Sequence, residues 1–112
     1  MIPIKLREQI LTDLEDDVMG LWFLIALISD FRESHDEEKF RAFVLEVIFS
    51  LLSEKAMNAG NETKNGGFKA WKGSPSDIVK RIEREWIKLN RRPNIGEIVS
   101  FCRPEAVGNV EE

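Results

Sequence analysis

Chemistry in this chain would have to come from a short set of residues: one histidine, His35, one cysteine, Cys102, and two runs of carboxylates, Glu15–Asp17 and Asp36–Glu38. His35 falls between Ser34 and Asp36, in what reads as the opening turn of a helix, so a surface position is expected. Nothing at helical spacing supplies the orienting partner or nucleophile that general-base work requires. Cys102 follows Phe101 and precedes Arg103. An activated thiol there would need a cation or a helix start close by, whereas a small apolar packing residue needs only its neighbours. A single His and a single Cys cannot assemble a zinc site of thiolates and imidazoles. The carboxylate runs offer oxygen ligands to a hard cation, but as consecutive acids rather than with the alternating spacing of a calcium loop. Acids at helix starts also serve the helix dipole. The stretch G-G-F-K-A-W-K-G at 66–73 lacks the Gly-Lys-Ser/Thr ending and the strand-to-helix setting of a nucleotide loop. No catalytic residue, metal ligand or cofactor is expected, and the chain reads as something other than an enzyme.

Charge is distributed with more meaning than its total of −4 suggests. Residues 1–54 hold five basic against twelve acidic side chains, a net −7; residues 55–103 hold eleven against five, a net +6. Such a dipole can steer a charged partner to one face, or the two halves can neutralise each other where they pack.

The elements that must position these groups are legible from periodicity. Ile4, Ile10, Leu11 and Leu14 give a short amphipathic helix entered after Pro3. From Asp16 to Phe31 the sequence is apolar almost all round, as in a central helix, with Gly20 marking a break or a tight contact. Ser34 and Glu37 have capping-box spacing, opening a helix that carries Phe40, Phe43, Val44, Val47, Ile48, Leu51 and Leu52. Gly60, Asn65, Gly66 and Gly67 then punctuate a hairpin, with short strands expected at Lys55–Ala59 and Phe68–Trp71. Ser74 as cap, Pro75 in the first helical position and Asp77 against the exposed N–H groups start a last helix to about Leu89. Its inner face is Ile78, Val79, Ile82, Trp86 and Leu89, and Lys80, Arg81, Arg84, Lys88 and Arg91 face out. Asn90–Gly96 turn the chain into a strand at Ile98–Phe101. The expected core centres on Trp22, Phe43, Val47, Leu51, Ile82 and Trp86.

The expected fold is therefore α+β and mainly α: a bundle of about four helices with a small antiparallel sheet from the 55–71 region and the 97–103 strand. A chain of 112 residues suits one domain, here 1–103, with 104–112 as a flexible tail. The longest apolar run, Leu21–Ile28, is far short of the roughly 20 residues of a membrane span. With one cysteine and no export signal at the N-terminus, a reducing cytoplasm is the expected location.

The C-terminal segment W-x-G-S-P-x-x-I, then E-W-x-x-L-x-R-x-P-x-I-G-E-I-V-x-F, resembles the end of small bacterial proteins, some of which are immunity proteins of contact-dependent inhibition and related polymorphic toxin systems. Trp71, Gly73, Ser74, Pro75, Trp86, Pro93, Gly96 and Phe101 carry the resemblance, which spans Trp71–Phe101; Ser100 stands where a bulky aromatic is expected. The resemblance implies a protein that binds and neutralises a toxin domain, often a basic nuclease, without chemistry of its own. Under that implication Asp13, Asp16, Asp17, Asp36, Glu37 and Glu38 would meet a basic cleft by electrostatic attraction, and Trp71 or Phe68 would serve as an aromatic anchor if exposed.

Two other readings stay open. Three helices followed by a hairpin is the element order of a winged helix. Its recognition helix would fall at Asp36–Glu54, where the acids repel phosphate, so duplex binding is not expected and would have to use the basic C-terminal half. The apolar helix at Asp16–Phe31 could instead complete its burial across an interface between copies, so the chain is expected as a monomer or a small homo-oligomer.

Overall fold

A computed structural model describes residues 2–32 and 35–104. The elements run α1 (Ile4–Asp16), β1 (Met19–Gly20), α2 (Leu21–Phe31), α3 (Glu37–Ser53), β2 (Asn58–Glu62), β3 (Phe68–Ala70), α4 (Pro75–Leu89) and β4 (Ser100–Cys102). The fold is α+β and mainly helical, with four helices and one four-stranded antiparallel sheet among the described residues, the strands in the order β1-β4-β2-β3. One hydrophobic cluster joins α1 (Leu6, Ile10, Leu14) to α2 (Leu21, Leu24, Ile25, Ile28), the inner face of α3, Ile78, Ile82 and Trp86 of α4, and Phe101 in the central strand β4.

The apolar run expected as one helix from Asp16 is two elements. Asp17 is extended, and its Oδ1 accepts the Val18 N–H at 2.7 Å. Met19 and Gly20 then pair with Phe101 and Ser100, and the Leu21 N–H donates to the Val99 carbonyl at 3.0 Å, so α2 starts against the sheet. Starting at Leu21 sets the phase of the helix. Leu21, Leu24, Ile25 and Ile28 form the buried stripe at the i, i+3, i+4, i+7 spacing, and Trp22, one residue off it, is 37% exposed instead of central to the core. Phe43 likewise lies at the edge of the α3 stripe, half-buried with the Arg32 guanidinium 4.9 Å over its ring. Val47, Leu51, Ile82 and Trp86 are buried as expected. Ile4 is exposed, because Leu6, Ile10 and Leu14 take the inner face of α1.

The cap of α3 is Asp36, whose carboxylate accepts the Glu38 and Lys39 N–H groups. The expected partner in a Ser34–Glu37 box, Ser34, lies outside the described residues. At its other end α3 closes as a Schellman motif: Ala56 N–H donates to the Leu51 carbonyl and Lys55 N–H to that of Leu52, with Lys55 left-handed at φ 60. That motif consumes Lys55 and Ala56, so β2 begins at Asn58 rather than Lys55. The hairpin turn is as the glycines foretold, with Gly66 at φ 83 and its N–H on the Thr63 carbonyl.

Ser74 caps α4 as expected, and Asp77 completes a reciprocal capping box: Asp77 N–H donates to Ser74 Oγ at 3.1 Å and Ser74 N–H to Asp77 Oδ2 at 3.4 Å, with Pro75 first in the helix. Left-handed Asn90 ends it. The last strand starts two residues later than expected because Ile98 has φ 68, in a three-residue turn closed by Val99 N–H on the Glu97 carbonyl at 2.9 Å. A β-branched residue is rarely found there. Of the tail expected at 104–112, all but Pro104 lies outside the described residues.

Candidate partner-binding surface

The break between α1 and α2 builds a groove. Its floor and walls are Val18, Met19, Gly20, Trp22, Phe23 and, from the turn after α4, Ile95 with Gly96; its rim carries Asp13, Asp16, Asp17 and Glu62, and its volume is about 440 Å³. Trp22 and Ile95 also wall a second groove of about 660 Å³, which continues along α2 past Ala26 and Asp30 to Arg92. The two side chains thus form a ridge shared by both depressions, and Ile95 is 74% exposed.

Each part of the ridge is held from below. Trp22 meets Phe23 edge to face with ring centroids 5.6 Å apart, and its ring lies close over Gly20, where a β-carbon would come within 2.7 Å of Cδ1 and Nε1. Ile95 is projected by a braced turn. Arg91 Nη1 and Nη2 donate to the two oxygens of Glu97 at 2.7 and 2.8 Å, and the Asn94 N–H donates to Glu97 Oε1 at 2.7 Å. These bonds to the charged form, the Arg91 pair foremost, hold the Glu97 carboxyl down to about 2. Buried Pro93 anchors the same turn.

The rim carboxylates differ in how they are engaged. Asp13 accepts Gln9 Nε2 at 3.2 Å on both oxygens, and Asp17 accepts its neighbour's N–H. Asp16 and Glu62 have no hydrogen-bond or ion-pair partner among the described residues. Asp16 and Asp17 end a helix whose last turn contains no basic residue, so their charges add to the negative end of the dipole.

Of the residues singled out from sequence, Asp13, Asp16 and Asp17 therefore come together on one groove, and Asp36, Glu37 and Glu38 do not join them. Asp36 is occupied as the α3 cap, and Glu37 takes a two-point pair from Arg92, Nε to Oε1 at 3.1 Å and Nη2 to Oε2 at 2.8 Å. Glu38 is exposed. Trp71 is partly buried against the core, donates Nε1–H to Asn61 Oδ1 at 2.7 Å, and has the Arg81 guanidinium 3.5 Å over its ring. It is tied into the structure rather than offered as an anchor, and Phe68 is buried. Trp22, Phe23, Glu62 and Ile95 were not read from sequence as site residues. The available signals were weak: Trp22 lies one step off an apolar stripe, and Ile95 is an apolar residue inside the turn P-N-I-G.

His35 is exposed just before the α3 cap, and Cys102 is buried on β4. Among the described residues no three His, Cys, Asp or Glu groups stand close enough to share a metal ion, and no helix is long and apolar enough to cross a membrane. What the surface offers chemically is an apolar, aromatic contact beside a negative rim. Comparison with protein-family models, with curated proteins and with solved structures yields no match.

Proposed function

We propose that this chain is a non-enzymatic, cytoplasmic protein-binding module, an immunity protein that neutralises a cognate toxin domain of basic character. The observation that carries the reading is the Trp22–Ile95 ridge beside the Asp13, Asp16, Asp17 and Glu62 rim. Exposed tryptophan is the side chain most enriched at interface hot spots, and an acid rim around it complements the positive cleft of a phosphate-handling enzyme and speeds encounter with it. The C-terminal resemblance from Trp71 to Phe101 supports the same reading, although its residues act mainly in the capping, turn and core of that segment.

The test is co-expression with the toxin domain encoded by a neighbouring gene, reading survival together with association rates. Trp22→Ala is expected to cost about 2 kcal/mol or more of binding, and Asp16→Lys with Asp17→Lys to slow association and blunt its salt dependence. Asp36 is left intact in this design because its loss would uncap α3. Unchanged protection and on-rate in both variants would remove this surface from the interface. A winged-helix regulator is the competing class. The outward positions of α3 hold Glu38, Lys39, Ala42, Glu46 and Phe49, a poor surface for phosphate, and a duplex mobility shift near physiological salt abolished by reversing Lys80, Arg84 and Lys88 would favour that class instead.

A further inference from the structure

Resting on the reading above that the chain binds a protein, we propose that the acid-rimmed groove is a receptor for one arginine side chain presented by the partner, its guanidinium stacked on Trp22 and its charge answered by Asp16, Asp17 and Glu62.

Three observations select arginine over other cations. The carboxylates line the groove, and no three of them can share a metal ion among the described residues. A divalent ion therefore lacks a ligand set here, whereas a planar, weakly hydrated guanidinium spreads its five donors over separated acceptors and, unlike an ammonium, stacks on an aromatic face. The wall is an exposed indole with no cation of this chain over it among the described residues, and the floor of Val18, Met19 and Phe23 suits the apolar stem of the side chain. Guanidinium on ring is a contact this chain already uses elsewhere: Arg81 over Trp71 at 3.5 Å, Arg32 over Phe43 at 4.9 Å and Arg92 over the buried Phe40 at 4.1 Å. Trp22, the one exposed indole among the described residues, has Phe23 as its ring neighbour and no such cation.

The carboxylates at this end of α1 point the same way. Acids in a last turn oppose the helix dipole, and Asp16 and Asp17 are there without a basic residue in that turn. Arg103, which donates to the Glu15 carbonyl at 2.9 Å, lines a smaller depression with Asp16 and Asp17, and no ion pair joins it to either carboxylate among the described residues.

The experiment needs no toxin. N-acetyl-arginine amide, N-acetyl-lysine amide and N-acetyl-citrulline amide are each titrated into 15N-labelled protein. The expected result is saturable shifts at the amides of Val18–Phe23 and Ile95–Ser100 with arginine, several-fold weaker binding of lysine, and none of citrulline. Asp16→Asn and Asp17→Asn should each weaken arginine roughly two- to five-fold, the range of an exposed ion pair. Gly20→Ala, which forces the indole aside, should remove its preference over lysine; if that variant does not melt cooperatively, Trp22→Leu takes its place. Equal binding of arginine and lysine, shifts shared equally with Asp36–Glu38, or no shifts overturn the proposal. Arginine binding in a chain that protects against no neighbouring toxin would leave the groove standing and remove the immunity reading. Protection that ignores these variants, without arginine shifts, would do the reverse.

Discussion

The indole of Trp22 occupies the space that a side chain on Gly20 would need: a β-carbon there would sit 2.7 Å from both Cδ1 and Nε1. Gly20 has φ −72, open to any residue, so the glycine serves the ring rather than the backbone. Gly20→Ala should therefore displace a partly exposed side chain and leave the melting temperature within a few degrees of the parent, an effect under about 1 kcal/mol. Near-ultraviolet circular dichroism should change, because the Trp22–Phe23 edge-to-face contact is lost. An unaltered aromatic spectrum would place the indole elsewhere.

Trp86 is the opposite case. It is 4% exposed, on the inner face of α4 with Ile78 and Ile82. Trp86→Ala should cost about 3–5 kcal/mol, against about 1 kcal/mol or less for Trp22→Ala. Urea midpoints of the two variants check this, and equal midpoints would contradict the phases assigned to α2 and α4.

Gly60 sits in β2 between Ala70 and Ser100, where a β-carbon would meet the Lys69 carbonyl oxygen at 2.2 Å. That obstacle is backbone, so relief requires the strands to part. Gly60→Ala should destabilise by about 1–3 kcal/mol and raise amide exchange in β3, the edge strand, before β4. Parent-like exchange at Lys69 and Ala70 would show that the strands do not approach this closely.

Lys55 holds the left-handed position of the Schellman motif after α3 at φ 60, where glycine carries no steric penalty. Lys55→Gly should stabilise by about 0.5–1 kcal/mol, the left-handed cost of a non-glycine residue less the added entropy of glycine in the unfolded chain. A lower melting temperature would refute this geometry.

Glu97, held down to about 2 by Arg91 and the Asn94 N–H, has an ordinary value of 4.5. A carboxyl whose folded value is depressed stabilises fully above its unfolded value and loses that contribution as pH falls toward the folded one. Stability should decline between about pH 4.5 and 2 partly through this group. Glu97→Gln should show a flatter acid limb in that window and a lower starting stability at neutral pH. Superimposable acid limbs would mean that the Arg91 clamp contributes nothing in solution.

Local rules were enough to read much of this molecule. Ser74, Pro75 and Asp77 specify the start of α4, Asn90 its end, and Gly66 the hairpin, because each acts within a few residues along the chain, where covalent geometry brings donor to acceptor without help. The stripes of α3 and α4 were legible for the same reason, and with them the α+β, mainly helical class. The concentration of acids in the first half was likewise a fact of composition, and it drew attention to Asp13, Asp16 and Asp17 before any contact was known.

Tertiary structure decided the rest. Met19–Gly20 became a strand only because Phe101 and Ser100, some 80 residues on, offered backbone partners, and that pairing moved the start of α2, turned Trp22 outward and opened the groove beside Asp16 and Asp17. Glu62 and Ile95 reached the same groove from β2 and the turn after α4. Asp36 and Glu37, equally acidic in sequence, were drawn off to a helix cap and to Arg92. Local pattern fixes how a segment curls and which side is apolar; which apolar or charged group is left over when the segments meet depends on backbone pairings and long-range ion pairs, and those leftovers make the candidate site.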